Sequence, residues 1–272
     1  MEGSQKGGNG AASQASLMTL KDKGIILHAK HAFMPNSLGY CGPDDRGVIL
    51  QHLEESKGGE DLTSTLKEFE AAYPFLRLIA RTTGKNPFDY AVPEAYWIGN
   101  SLLDRVPLAD FHGFSHGELA GRDRQEVKRV FRTVGTSARP HHTFYVMNTY
   151  ASSSVCDGPS LHNSSAKKIS QLIDNCRISW GEVRGIGANT LQVAYRPVIL
   201  EEGRLSLSEP RLKRVKYNRE VTPFGGVKKG DIVSMHWDYA CEVLTPRQFS
   251  NIRKYTDLDL VAANRLLQSR LV

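Results

Sequence analysis

The chain has 272 residues, of which 40% are hydrophobic, and this is enough apolar material for one large domain or two smaller ones. Its formal net charge of +6 allows a polyanionic partner, but the charge is spread along the chain and does not require one. The four cysteines show no C-x-x-C spacing and no stretch approaches a membrane span, so we expect a soluble, cytoplasmic protein with no membrane partner.

The first part of the chain predicts a flexible tail followed by a helical domain. Residues 1–16 are rich in Gly, Ser, Gln and Ala, and they cannot bury enough apolar surface to become ordered. From 17 to 174 apolar residues recur at three- and four-residue steps, as in Leu62, Leu66 and Phe69. Helices are expected at 93–103, 123–134 and 165–173, and 141–150 suits either a helix or a strand.

The pattern changes at Cys176, where short β-type runs begin. Strands are expected at 177–184, 190–197, 211–217 and 231–237. Short strands separated by turns are typical of a small OB-like β-barrel. Thr245 and Pro246 then predict the start of a C-terminal helix. The expected fold is therefore α+β, with a helical domain at 17–174 and a barrel with its closing helix at 175–272.

Cys176 and His236 form the first candidate site. A thiol and an imidazole are good ligands for a transition metal, and we expect both to lie on neighbouring strands, close enough to share one ion. Arg177 would favour the thiolate form of a partly exposed Cys176. A buried free cysteine and a histidine bonded to the backbone would explain the same residues without a metal.

The same segments resemble the HypC/HupF family of hydrogenase maturation chaperones. The run Cys176 to Val183, read CRISWGEV, is similar to the opening of that family. Leu191 to Ala194 is similar to its next strand, and Gly230 to Ala240, read GDIVSMHWDYA, is similar to its GD-x-V-x-x-H-x-x-x-A strand. The resemblance covers about 175–255, which is less than a third of the chain.

This resemblance implies a HypC-like barrel in which Cys176 and His236 help to carry iron, as the iron–carbonyl–cyanide precursor of the nickel–iron active site. It also implies two protein partners, a HypD-type maturation scaffold and the hydrogenase large-subunit precursor. Cys176 is internal, whereas the family cysteine becomes the chain terminus, so a docking role is an alternative to iron carriage. The whole chain further resembles an uncharacterised bacterial family that shares the Leu38 to Pro43 motif and that we associate with hydrogenase gene clusters.

That motif, read LGYCGP, predicts a fixed turn that displays Tyr40 and Cys41. His28 and His31 lie about one helical turn apart upstream. A metal or thiol site that includes Cys41 is therefore one interpretation. The other is a rigid turn between two helices with a packed cysteine.

His112 and His116 are four residues apart and would share one face of a helix, as metal ligands do. His141 and His142 could complete such a site, and a metal-dependent enzyme that uses this histidine cluster is an alternative function. Two glycines weaken a helix here, so we favour a loop with hydrogen-bonded histidines. No phosphate-binding or dinucleotide motif is present.

Basic residues cluster in the predicted barrel, where they could form a nucleic-acid groove, a docking patch or a solvated face. They are Arg204, Arg211, Lys213, Arg214, Lys216 and Arg219. Only Tyr217 offers a nearby ring for base stacking, so we do not expect nucleic acid to be the main partner. The predicted function is chaperone-like assistance in nickel–iron hydrogenase maturation, by binding a maturation partner or an iron-cofactor precursor, and we assign no enzymatic activity.

Overall fold

The computed structural model describes residues 19–117, 124–151, 163–218 and 226–269. Helices fill the first part of these ranges, and a sheet and one long helix follow. The helices before the sheet are α1 (Leu20–Ser37), α2 (Arg46–Glu55), α3 (Glu60–Lys67), α4 (Tyr73–Thr83), α5 (Ala91–Trp97), α6 (Leu108–Gly117), α7 (Arg124–Val134), α8 (His142–Ala151) and α9 (Asn163–Cys176). The strands are β1 (Ser179–Ile186), β2 (Thr190–Tyr195), β3 (Val198–Glu201), β4 (Arg204–Leu207), β5 (Arg211–Lys216), β6 (Ile232–His236) and β7 (Tyr239–Val243), and α10 (Pro246–Gln268) ends the described fold.

The α+β class and the C-terminal helix are confirmed. The tail expected at 1–16 lies outside the described residues. The ambiguous segment 141–150 is helical and forms most of α8, with Phe144 and Met147 buried. The sequence pattern does not predict strands β3, β4 and β7. Strands β3 and β4 are only four residues long, and the turn before β7 contains Trp237 in place of a glycine.

The expectation of a loop around His112 was wrong, because α6 continues to Gly117. Phe111 and Phe114 of this helix both contact Phe75 of α4, with ring centroids 6.1 and 5.0 Å apart. Burial of two aromatic rings outweighs the roughly 1 kcal/mol that a glycine costs inside a helix.

Capping residues mark the start of the first and last helices. Thr19 accepts a hydrogen bond from the backbone N–H of Asp22, and the Asp22 carboxylate accepts in return from the Thr19 backbone. Thr245 and Gln248 form the same reciprocal pair ahead of α10. Each pair satisfies two backbone N–H groups that the helix leaves without partners.

The strands form two sheets, of which the larger has a cyclic order. Its order is β1-β2-β5-β7-β6, and β1 pairs with β6 so that the sheet closes on itself. All of these pairings are antiparallel except the short contact between β5 and β7. The strand residues that face its interior are apolar and buried, namely Val183, Leu191, Val193, Val215, Val233, Met235 and Ala240.

The two remaining strands, β3 and β4, form a hairpin that packs on α9 and α10. Helix α10 in turn packs along α8, and its buried residues join the same apolar core as those of α1 to α6. His141, just before α8, contacts Asp259 of α10 with 2.6 Å between Nδ1 and Oδ2, and both side chains are fully buried. The C-terminal helix is thus part of the apolar core that the other helices share.

Four buried histidines surround the indole ring of Trp97 at the end of α5. The ring centroids of His28, His31, His142 and His236 lie 5.5, 5.6, 4.6 and 5.7 Å from that of Trp97. The indole N–H donates to Nδ1 of His28 over 2.8 Å. This group of rings, which we call the histidine core, joins α1, α5, α8 and β6.

Replacing Gly24 by Ala tests the close packing of α1. An added Cβ would meet the Phe88 carbonyl oxygen and would lie 2.9 Å from the Tyr90 backbone nitrogen, so neither neighbour can yield without moving the chain. We expect Gly24→Ala to lower the free energy of unfolding by about 1–3 kcal/mol or more in urea denaturation. Gly47→Ala is the matched control, because its Cβ meets nothing within 4 Å, and it should leave stability unchanged or raise it by up to about 1 kcal/mol.

Burial of His28 predicts a loss of stability in acid. Burial lowers the pKa of His28 to about 3, whereas the unfolded chain titrates near 6.5. The unfolded state therefore binds the proton more readily, and stability falls as the pH drops from about 6.5 towards 3. His28→Gln keeps an acceptor for Trp97 but cannot titrate. Between pH 6.5 and 3, the slope of its unfolding free energy against pH should therefore be smaller than that of the wild type by about 1.4 kcal/mol per pH unit. Parallel pH profiles for the two proteins would contradict this.

Candidate metal centre

Three elements of the fold bring His142, Cys176 and His236 together. His142 begins α8, Cys176 ends α9, and His236 ends β6. One potential ligand atom from each residue lies within 4.8 Å of the other two. The structure thus places Cys176 beside His236 as expected, although Cys176 ends a helix and does not open a strand.

His236 presents an imidazole nitrogen that is free to bind a metal. Its Nδ1–H donates to the backbone carbonyl oxygen of His31 over 2.6 Å, so Nε2 carries the lone pair. Nε2 is buried and makes no hydrogen bond of good geometry in the described part of the chain, and the nearby Cys176 backbone carbonyl raises the pKa of the ring only slightly against the larger effect of burial. Metal-binding histidines usually donate their other ring N–H to a carbonyl or carboxylate, and His236 has this arrangement.

A proline in α1 makes the His31 carbonyl available. In a regular helix this oxygen would accept from the backbone N–H four residues later, but residue 35 is a proline and has no N–H. His236 therefore supplies the donor that the helix lacks. The His31 ring itself contacts the Leu27 carbonyl through Nδ1 and the Ser234 hydroxyl through Nε2, over 2.9 and 3.2 Å.

His142 is held by two partners. Its Nε2–H donates to the Cys176 carbonyl oxygen over 2.8 Å, which leaves Nδ1 as an acceptor facing the Tyr96 hydroxyl at 3.1 Å. The Tyr96 hydroxyl has an alternative acceptor in the Ala71 carbonyl oxygen, at 3.2 Å. His142 must release one of its partners to bind a metal, and Tyr96 is the partner that can turn elsewhere.

Burial controls the protonation of all three residues. It lowers the pKa of His236 to about 4 and that of His142 well below its usual range, so both rings are neutral near pH 7. Burial also raises the pKa of the Cys176 thiol to about 12. The expectation that Arg177 would favour the thiolate form of Cys176 was wrong, because its guanidinium donates to Asp174 over 2.9 and 3.1 Å. A metal ion would have to displace the thiol proton on binding.

A strained turn encloses the site beside Cys176. Trp237 and Asp238 join β6 to β7 with φ of 49° and 59°, a conformation that two-residue hairpin turns require but that bulky residues rarely adopt. The Trp237 ring packs on Tyr40, with centroids 4.4 Å apart. The turn thereby brings the segment that carries Cys41 against the edge of the site.

The predicted fixed turn around Cys41 is present. Gly39 and Gly42 adopt φ of 71° and 82°, and the Asn36 amide donates to the carbonyl oxygens of Cys41 and Pro43 over 3.0 and 2.6 Å. The Cys41 thiol is close enough to Cys176 to contribute to the raised pKa of that thiol. It does not belong to the group of three mutually close ligand atoms.

Among the described side chains, His112 does not meet His141 or His142 in a possible metal site. His112 lies on α6, where its ring contacts Phe131 with centroids 4.9 Å apart. The side chain of His116 lies outside the described residues. His141 contacts Asp259, so only His142 of the 141–142 pair reaches Cys176 and His236.

A family model matches residues 20–270, nearly the whole described chain. The chain belongs to a family of unknown function, DUF6390. No curated protein and no solved structure matches it. Within the described ranges, every helix is too short or too polar to cross a membrane.

Sequence reasoning did not connect His142 with the Cys176–His236 pair. The two adjacent histidines after Pro140 were a visible signal, but no spacing rule relates them to residues on β6 or α9. The link arises because α8 and α9 pack together and the sheet follows α9 directly. These contacts are tertiary, so a single sequence does not reveal them.

Replacing Cys176 by Ser should abolish tight metal binding. Titration of the apo-protein with Co²⁺, followed by its thiolate absorption band, should give one equivalent per wild-type chain and an affinity at least about 100-fold weaker for Cys176→Ser. Cys241→Ser is the matched control, since that buried thiol lies outside the group. Equal affinities for the wild type and Cys176→Ser would exclude this metal centre.

Proposed function

We propose that the chain is a metal-binding accessory protein of nickel–iron hydrogenase maturation, which carries an iron-cofactor precursor or docks on a maturation partner. The observation that supports this most is the meeting of His142, Cys176 and His236 within 4.8 Å. A thiolate with two neutral imidazoles is a donor set for a transition metal such as zinc, copper(I) or iron. Magnesium and calcium, which prefer oxygen ligands, do not suit it.

The presence of three protein ligands favours a metal carrier over a structural metal site. Structural zinc sites have four protein ligands, whereas three leave a coordination position open. On an iron precursor, the other positions would belong to the cargo or to a residue of the partner protein. Docking and cargo transfer both use such an open position.

The topology of the larger sheet supports an OB-like, HypC-like barrel. The third strand of this sheet is β5, and β6 returns to pair with β1. The spatial order β6-β1-β2-β5 is that of a Greek key, which is the connectivity of OB barrels. The barrel that the HypC/HupF resemblance implies is compatible with this order.

The two alternative functions have less support. Among the described side chains His112 belongs to no group of potential metal ligands, which lowers the support for the predicted histidine-cluster enzyme. Lys213 of the basic segment pairs with Asp238 and lies 4.8 Å from the Tyr195 ring centroid. That lysine is therefore already engaged within the protein, which weakens the proposal of a nucleic-acid groove.

Anaerobic purification from cells that also express hydrogenase maturation proteins tests this function. We expect sub-stoichiometric to stoichiometric iron, infrared bands of bound carbonyl and cyanide, and co-purification of a HypD-type scaffold or a large-subunit precursor. Cys176→Ser should lose the iron and the infrared bands, whereas Cys241→Ser should retain them. A docking role alone predicts that Cys176→Ser keeps the partner.

Other results would contradict the proposal. Zinc as the bound metal, with neither maturation protein retained, would leave a metalloprotein without a role in hydrogenase assembly. Absence of all metals and of both partners would overturn the proposed function entirely.

A further inference from the structure

A second candidate site lies beside α1 and shares no lining residue with the Cys176 group. A cavity of about 470 Å³ opens between the first half of α1 and the end of β7. Its walls combine apolar side chains with a small number of polar groups, namely Leu20, Ile26, Leu27, Lys30, Tyr90 and Glu242. Cavities of about 300–1,000 Å³ with this composition are typical small-molecule sites.

The Lys30–Glu242 pair in this cavity is poorly satisfied. Nζ of Lys30 lies 3.7 Å from Oε1 of Glu242, which is longer than a hydrogen bond, and the Lys30 side chain is only 7% exposed. This contact is the only ion pair of Lys30 within the described ranges. Oε2 of Glu242 is inaccessible and has no hydrogen-bond partner there. Buried charges are normally paired and fully hydrogen-bonded, so both groups retain capacity for a ligand.

Hydrogen-bond donors predominate at the polar end. The Lys30 ammonium can donate three hydrogen bonds and accepts none. The Tyr90 hydroxyl accepts from the Gln248 amide over 3.0 Å, which leaves its own hydrogen for another acceptor. Burial raises the pKa of Glu242, which reduces the cost of protonating its carboxyl when an anion binds beside it. Rotation of that carboxyl about its last torsion is soft and can turn Oε2 towards the cavity.

We propose that this cavity binds a small aliphatic carboxylate, whose oxygens accept from Lys30 and Tyr90 and whose tail contacts Leu20, Ile26 and Leu27. The carboxylate supplies an acceptor for the Tyr90 hydrogen and one that can approach Lys30 more closely than Oε1 of Glu242 does at 3.7 Å. Lys23, exposed at the mouth of the cavity, adds a second positive charge that attracts an anion. The apolar wall excludes strongly hydrated inorganic anions, since these would lose their water without compensation.

Isothermal titration of the full-length chain with hexanoate, 1-hexanol and hexylamine tests the proposal. These three probes share one tail and differ in the charge of the head group. We expect hexanoate to bind at least about tenfold more tightly than 1-hexanol, because hydrogen bonds to charged groups are the stronger ones. Preferential binding of hexylamine would show that an ionised Glu242 dominates the site, and this result would overturn the proposal.

Substitutions of the lining residues test whether hexanoate binds in this cavity. Lys30→Met removes the ammonium at similar length and should weaken hexanoate binding by about 10–100-fold, whereas Lys229→Met, at an exposed turn, should leave it unchanged. Tyr90→Phe removes only one hydroxyl and should weaken hexanoate binding severalfold. It replaces Lys30→Met in the experiment if Lys30→Met fails to fold. Unchanged hexanoate affinity in a folded Tyr90→Phe or Lys30→Met protein, or no hexanoate binding to the wild type, would overturn the assignment.

Discussion

The hydrogen bond from the His236 ring to the His31 carbonyl connects the closed sheet to the helical core. It exists because Pro35 deprives that carbonyl of its helical donor. The bond fixes which nitrogen of His236 carries the proton, and it leaves the lone pair on Nε2. It links the candidate metal centre to α1, together with the contact between His31 and Ser234 of the same strand.

The histidine core places an unusual energetic demand on the fold. Buried imidazoles that stay neutral cost less than buried charges, but each still needs partners for two nitrogens. Trp97, the Leu27 and His31 carbonyls, and the Ser234 hydroxyl provide several of them. Nitrogens without partners remain on His28 and His236. At His236 the missing partner has a chemical explanation, because a metal ion would occupy that position.

The sequence predicted those parts of the fold that depend on local pattern. Apolar residues at helical steps indicated the helical region, and β-branched runs indicated β1, β2, β5 and β6 to within a few residues. The four-residue strands β3 and β4 carry too few residues for a periodic signal. Helix α6 was missed because its glycines suggest a loop, and the aromatic contacts that stabilise it come from another helix.

The candidate metal centre was likewise predictable from the sequence only in part. Cys176 and His236 were recognisable as a thiol and an imidazole at predicted strands, but His142 was not connected with them, since its position depends on the packing of α8 against α9. The raised pKa of Cys176 also contradicts the sequence interpretation, because the sequence shows Arg177 next to the thiol and does not show that Asp174 binds it. Local sequence indicated the residue types, and tertiary contacts determined their chemistry.

The separation of the three donors along the chain has a consequence for biosynthesis. His142, Cys176 and His236 lie on two helices and a strand that follow one another in order, so a nascent chain cannot assemble the centre until β6 has closed the sheet. Long-range contacts of this kind form late, because loop closure costs entropy before any contact compensates for it. Any metal acquired at this centre would therefore enter only after synthesis has passed β6, and occupancy of the centre would report that the sheet has closed.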